Sequence, residues 1–264
     1  MSDSPSYRCV WCLRHEQEGV TFTSESHVLP NAVGNTEWTL PPGVVCDPCN
    51  QYFGQKIEPG LLDDPLFHVR AVALGAVDPD DMNAFRNKIF DAQHPSTNTV
   101  NRHLHLDVKL QGQTLDLDVQ YAIRGQMERS YTTKQLAALS RSIHKIGFEA
   151  LVYSSISKKD ADDPIDPYSP LFDEVRKWAR EGQPHGKVRP MIRNLGNEIS
   201  TNYSYGVWRF GEHVGVQLSL FGDWYGVSLT STTSEAKDHV WKWANGTHQH
   251  HLWILGESLH RPTG

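Results

Sequence analysis

Alternating apolar and polar residues predict two groups of β-strands in the second half of the chain. Apolar positions recur at every second residue from 104 to 121, with a glycine-containing turn near the middle, which predicts a β-hairpin. Three more such stretches, at 203–210, 214–221 and 224–229, are separated by short glycine-containing turns. These stretches predict an antiparallel meander.

Helical spacing is found in the segments between these strands and before them. Apolar residues recur at three- and four-residue steps from 133 to 157, which predicts a long helix, and a shorter helix is expected over 171–180. The segment 65–90 is also helical in pattern, whereas the first sixty residues are rich in loops. There, Asp47-Pro48 predicts a helix start with the aspartate as its cap. Mixed helices and antiparallel strands indicate an α+β fold.

Length and composition indicate an ordinary soluble globular protein. The chain has 264 residues, of which 38% are hydrophobic and 21% are charged. It contains no run of about 18 apolar residues and no basic-then-apolar leader, so we expect no membrane partner and a cytoplasmic location. The length allows a domain boundary near residue 60, with one domain over 1–60 and a second, α+β domain over 61–264.

The net charge of −6 weighs against a nucleic-acid partner, which usually needs a basic face. Net charge averages over the whole surface, however, and basic residues accumulate in the second half. Arg141 and Lys145 lie on the predicted long helix, and Lys56 lies near the end of the first sixty residues. These three side chains are the candidates for contact with phosphate.

The four cysteines form two closely spaced pairs that bracket one histidine. Cys9 and Cys12 form one CxxC pair, Cys46 and Cys49 form the other, and His27 lies between them. A two-residue spacer lets both sulfurs of a pair reach one ion, so the four thiolates predict a structural, tetrahedral Zn²⁺ site. Disulfides are the alternative, which a reducing compartment disfavours.

The residues between and after these pairs resemble the HNH endonucleases. Glu25-Ser26-His27-Val28-Leu29-Pro30, followed by Cys46-Asp47-Pro48-Cys49-Asn50, is similar to the branch whose ββα-metal module is held by a four-cysteine zinc. The resemblance covers roughly residues 7–60. It implies that His27 is the general base for phosphodiester hydrolysis and that Asn50 ligates a catalytic Mg²⁺ or Mn²⁺.

Two positions depart from the family pattern. The residue before the histidine is usually an acid that completes the metal site, but here it is Ser26, with Glu25 one place earlier. Successive strand residues point to opposite faces, so either Glu25 reaches the ion through a local bulge or Ser26 binds it. The family's middle asparagine is also missing just before Cys46, and Asn31 and Asn35 are the available substitutes.

The function that these features predict is a metal-dependent HNH endonuclease acting on DNA. The resemblance implies a role in restriction or phage defence, and cutting of both strands would require a homodimer or sequential nicks. The region after residue 60 would then recognise the substrate or mediate assembly. Two alternatives remain at this point: a non-catalytic, zinc-stabilised nucleic-acid-binding module, and a protein-interaction module.

Overall fold

The computed structural model shows an α+β protein, as the sequence pattern predicts. It describes residues 7–33, 35, 37–64, 67, 71, 102–110, 113–121, 133–157, 165–182, 188–194, 203–230 and 252–255. Almost all of the segment 65–90, predicted to be helical, lies outside the described residues. Helices and antiparallel strands alternate along the described parts of the chain.

Nine strands and four α-helices are defined within the described residues. The strands are β1 (Ser26–His27), β2 (Thr39–Leu40), β3 (Arg102–Leu110), β4 (Gln113–Tyr121), β5 (Met191–Asn194), β6 (Ser204–Phe210), β7 (His213–Leu220), β8 (Asp223–Ser228) and β9 (Leu252–Leu255). The helices are α1 (Asp47–Lys56), α2 (Pro59–Leu62), α3 (Thr133–Ser157) and α4 (Asp173–Glu181). Short 3-10 turns cover Glu16–Glu18, Asn31–Val33 and Pro170–Phe172.

The N-terminal part combines a short hairpin with a helix. Strand β1 pairs antiparallel with β2, with Ser26 opposite Leu40 and His27 opposite Thr39. Helix α1 follows with a proline in its first turn, a position that needs no backbone N–H. The cap residue is Cys46 rather than Asp47, which corrects the predicted cap; Asp47 is the first helical residue.

The predicted hairpin, meander and long helix are confirmed. Strands β3 and β4 pair antiparallel from Arg102 opposite Tyr121 to Leu110 opposite Gln113. Strands β6, β7 and β8 form the meander, and β5 and β9 extend it into a five-stranded antiparallel sheet of order β6-β7-β8-β5-β9. Helix α3 spans the predicted 133–157, and α4 begins two residues later than the helix predicted over 171–180.

Helix α3 lies between the N-terminal part and the five-stranded sheet. Every residue from 142 to 152 is buried, which marks a helix covered on all sides. Gly60 of α2 packs so closely on α3 that a Cβ there would overlap the carbonyl of Ala138. On the other side, a Cβ at Gly147 would lie 2.8 Å from Val227 of β8. The hydrophobic core is therefore continuous from the cysteines through α3 to the sheet.

Burial of α3 is explained by this packing between two layers. Among the helices of the described ranges, none combines the length and the apolar character needed to cross a membrane.

Candidate functional site

The four cysteines converge on one point between the loop after residue 8 and the start of α1. Their sulfur atoms all lie within 4.8 Å of one another, and the sulfurs of Cys12 and Cys46 are 3.7 Å apart. Zinc–sulfur bonds of about 2.3 Å make each edge of a ZnS₄ tetrahedron about 3.8 Å. All four thiols are free of disulfides. The four side chains are therefore positioned to bind a metal ion, and their donor set fits structural zinc.

The surroundings of the cluster favour a cation among the sulfurs. The backbone N–H of Cys46 donates a hydrogen bond to the sulfur of Cys9 over 3.4 Å. A hydrogen bond with Cys46 lowers the pKa of Cys12, whereas the neighbouring Cys12 raises the pKa of Cys49. Four thiolates this close repel one another, so all four can be ionised together only when a cation lies among them.

Helix α4 and the loop before it hold the first cysteine pair from outside. The guanidinium Nε of Arg176 donates to the carbonyl of Val10 over 2.7 Å, and the hydroxyl of Tyr168 donates to the carbonyl of Arg8 over 3.1 Å. Arg176 also lies over the ring of Phe148, 5.5 Å from its centre. The loop of the first cysteine pair is thus packed against residues that follow it by 160 and 166 positions in the chain.

His27 lies on β1, on the strand expected to carry it. Its side chain is half-buried, and its Nδ1 atom is buried with no hydrogen-bond partner among the described residues. A buried ring nitrogen left without a hydrogen bond costs about 1–3 kcal/mol.

Asn35 fixes the loop that joins β1 to β2. Its Nδ2 donates to the carbonyls of Leu29 and Trp38, each over 3.2 Å, and its Oδ1 accepts from the backbone N–H of Trp38 over 3.1 Å. Asn35 is buried, whereas Asn31 is exposed. Of the two asparagines considered as substitutes, Asn35 is the one that holds the histidine's hairpin.

Asn50 joins the first turns of α1 to the residue before β1. Its Nδ2 donates to the backbone carbonyl of Glu25 over 2.9 Å, which leaves Oδ1 as the atom able to coordinate a cation. The carboxylate of Glu25 is exposed, whereas Ser26 is only 1% exposed. The hydroxyl of Ser26 faces Glu149 of α3 at 3.5 Å. The structure thus turns Ser26 into the core and leaves Glu25 outside.

A polar cleft opens beside Asn50. It has a volume of about 380 Å³ and is lined by Thr23, Ser24, Asp47, Asn50 and Gln51. Its wall is held by Asp47, whose carboxylate accepts hydrogen bonds from the hydroxyls of Thr21, Thr23 and Ser24 and from the backbone N–H groups of the last two. Desolvation opposes ionisation, but these hydrogen bonds prevail and hold the pKa of Asp47 well below its usual range.

The three predicted phosphate contacts lie in different environments. Lys56 is exposed at the end of α1. Arg141 donates to the carbonyls of Ala179 (3.1 Å) and Arg180 (2.5 Å) and to the hydroxyl of Tyr52 (3.1 Å), so its guanidinium bridges α3, α4 and α1.

Lys145 corrects the sequence prediction. Its side chain is 1% exposed and pairs with Glu149 and Glu58, each over 2.9 Å. An ammonium enclosed by two carboxylates is withdrawn from any phosphate outside the protein. The sequence predicted Lys145 as a phosphate contact because helical spacing alone could not show that a second layer covers that face of α3.

The comparison with protein families identifies the class of the N-terminal part. Residues 9–66 match the family model of the HNH endonucleases. This segment is an HNH domain with a four-cysteine cluster, as the motif predicts. The family indicates a nuclease-type function with a nucleic-acid substrate. No curated protein and no solved structure matches the chain.

Two residues at this site were missed by sequence reasoning. Glu149 lies behind β1, and the carboxylate of Asp47 fixes the segment before it. The i,i+4 spacing of Lys145 and Glu149 was a signal for an ion pair, but it does not distinguish an exposed pair from a buried one.

Proposed function

We propose that this protein is a metal-dependent endonuclease that hydrolyses phosphodiester bonds in DNA. The observation that carries the proposal is the meeting of three features in one HNH domain. His27 is half-buried on β1, with no partner for its Nδ1 among the described residues, Asn50 lies on the helix beside that strand, and the cysteine cluster fixes the helix. This is the arrangement expected of a base, a metal ligand and a structural metal.

His27 is proposed as the general base. Its neutral imidazole takes one proton from a water molecule, and the resulting hydroxide attacks the phosphorus. The bond between phosphorus and the 3′-oxygen breaks, and that oxygen takes a proton from solvent. The hairpin held by Asn35 keeps the imidazole oriented for this transfer.

Glu25 and Asn50 are proposed as the protein ligands of the catalytic cation. Carboxylate and amide oxygens suit Mg²⁺ or Mn²⁺, and a bound cation would stabilise charge on the phosphate and on the leaving oxygen. Glu25 is preferred to Ser26 because its carboxylate is exposed and its own carbonyl is bonded to Asn50, whereas the Ser26 hydroxyl faces the core. No bulge is then needed to explain a serine before the histidine.

The remainder of the chain, over 61–264, is proposed to contact substrate or to mediate assembly around the HNH domain over 1–60. We place the activity in restriction or phage defence, which the family resemblance implies, and in the reducing cytoplasm, which the free thiols favour. Cutting of both strands would require a second copy of the chain or sequential nicks.

Nicking of supercoiled plasmid tests this proposal against its alternatives. The purified, zinc-loaded protein should convert supercoiled to open-circular DNA with Mg²⁺ or Mn²⁺, and excess EDTA should prevent it. Retardation of DNA in a gel without nicking would favour a non-catalytic nucleic-acid-binding module. Neither nicking nor retardation would favour a protein-interaction module.

A further inference from the structure

A buried cluster of charges lies directly behind the strand that carries His27. The ammonium of Lys145 donates to the backbone carbonyl of His27 over 2.7 Å and approaches the carbonyl of Val28 at 3.4 Å. The same ammonium contacts Glu149 and Glu58, each at 2.9 Å. Lys145 is thus the one side chain in the cluster that touches the histidine's own backbone.

Glu149 extends the cluster to two other parts of the HNH domain. Its Oε1 accepts from the indole N–H of Trp11 over 2.9 Å, and its Oε2 faces the hydroxyl of Ser26 at 3.5 Å. Trp11 lies between the two cysteines of the first pair, and Ser26 precedes His27. One carboxylate therefore connects the metal loop, strand β1 and helix α3.

The cluster is ionised in the folded protein. Burial works against the charge on Lys145, but Glu149 and Glu58 outweigh it and raise the pKa of the ammonium. Burial raises the pKa of Glu149 and so favours its neutral form. We nevertheless assign a carboxylate, because both of its oxygens accept hydrogen bonds and Oε2 lies 2.9 Å from a charged ammonium.

Strand β1 needs such support because it is very short. It pairs with β2 through only two residues, and the next backbone hydrogen bond runs from Val28 N–H to the carbonyl of Trp38. Two paired residues supply little of the rigidity that a catalytic side chain requires. A charged donor fixed on the fully buried face of α3 supplies what the strand lacks.

We infer that Lys145 and Glu149 are positioning residues for catalysis, through which helix α3 holds the backbone of His27 in its working place. The inference rests on the proposed role of His27 as the base. Helix α3, which follows residue 60, thus supports the active site by holding the backbone of β1. The HNH domain depends on α3 for its reaction geometry as well as for its stability.

The chain offers a matched control for the loss of a buried cation. Arg193 of β5 pairs with Asp64 at 2.8 Å and with Asp223 at 2.9 Å, and all three side chains are at most 3% exposed. Its described partners lie outside β1. Removing either cation leaves buried carboxylates unpaired and destabilises the fold, but only Lys145 touches His27.

The experiment compares Lys145→Met, Lys145→Met/Glu149→Gln and Arg193→Met in the full-length, zinc-loaded protein. Lys145→Met alone leaves the buried Glu149 carboxylate unpaired and can unfold the protein. The double variant removes both charges of the pair and so avoids this penalty, and its glutamine oxygen still accepts from Trp11. Plasmid nicking with Mn²⁺ gives kcat and KM for the folded fraction. Hydrogen exchange of residues 26–29 reports the order of β1 without any need for activity.

We expect kcat to fall by about 100-fold in both Lys145 variants with KM unchanged, because a misplacement of about 1 Å costs that much. Exchange over 26–29 should accelerate in both, and Arg193→Met should keep the wild-type kcat and exchange there. Wild-type kcat in the double variant, or an equal loss in Arg193→Met, would overturn the inference. If the wild type does not nick DNA, the proposed function fails, and hydrogen exchange over residues 26–29 alone tests the inference. Faster exchange there in the Lys145 variants than in Arg193→Met would support a positioning role, and equal exchange rates in all three variants would refute it.

Discussion

Replacing Cys49 by serine should cost the protein its metal and a large part of its stability. Cys49 is 3% exposed at the start of α1, and its sulfur is one of four within 4.8 Å. Serine is a poor zinc ligand, so three thiolates would remain in a site built for four. Cys49→Ser therefore removes the metal ion that joins the loop after residue 8 to the helix that carries Asn50.

The size of the effect follows from the energy of such sites. A structural zinc contributes roughly 10–16 kcal/mol to folding of a small module at pH 7, comparable with the whole stability of an ordinary domain, about 5–15 kcal/mol. The module here is also held by α3 and α4, through contacts such as Trp11 against Phe148, with ring centres 4.9 Å apart. If only about 5 kcal/mol is lost, Tm still falls by on the order of 10–20 °C.

The assay is elemental analysis after gel filtration, followed by thermal melts of the same samples. Wild type should carry about one zinc per chain, and Cys49→Ser should carry much less and melt at the lower temperature. His15→Ser is the control, since His15 lies just after the first cysteine pair but outside the cysteine cluster. A Cys49→Ser protein that has lost its zinc and yet melts with the wild type would refute the structural role of the metal.

Three further predictions concern individual side chains. Glu25→Ala should slow Mn²⁺-dependent nicking by about 100-fold, whereas Ser26→Ala should keep most of the rate. Equal losses of nicking rate in the two variants would contradict the choice of Glu25 over Ser26 as the metal ligand. Burial, aided by the charge of Arg189, lowers the pKa of His144 to about 3. Between the folded and unfolded pKa values, His144 is therefore protonated in the unfolded chain and neutral in the folded one. The contribution of His144 to the free energy of unfolding should therefore fall by about 1.6 kcal/mol from pH 6.5 to 5. Urea melts of His144→Gln should lack this fall, and a variant that keeps it would contradict the assignment. Arg141→Met should lose about 1–3 kcal/mol of stability, because its hydrogen bonds to α4 and α1 are lost. Thermal melts and gel retardation should show this loss with little change in DNA affinity, and the opposite pattern would restore Arg141 as a phosphate contact.

The features predictable from sequence were those in which one local pattern sets one structure. The spacing of Cys9, Cys12, Cys46 and Cys49 determines that the sulfurs can share an ion, and the structure brings them together. The alternation over 104–121 likewise has a single reading, which β3 and β4 confirm. Both signals are properties of short segments and need no knowledge of the rest of the chain.

The features beyond the reach of the sequence depend on contacts between distant segments. The role of Lys145 changes from surface cation to buried donor because β1 and α2 cover one side of α3 while the sheet covers the other. The choice between Glu25 and Ser26 depends in the same way on Glu149, which follows Ser26 by 123 residues. Helical periodicity shows that a face is polar, and it does not show whether that face meets water or a buried partner.

The most direct test of the account is plasmid nicking by His27→Ala beside the wild type, at equal zinc content and equal melting temperature. A general base contributes about 100-fold or more to the rate, and its removal leaves the cysteine site and the core unchanged. We predict that the wild type nicks DNA with Mn²⁺ or Mg²⁺ and that His27→Ala, folded and zinc-loaded, loses that activity by at least this factor. A His27→Ala protein that nicks as fast as the wild type would contradict the account.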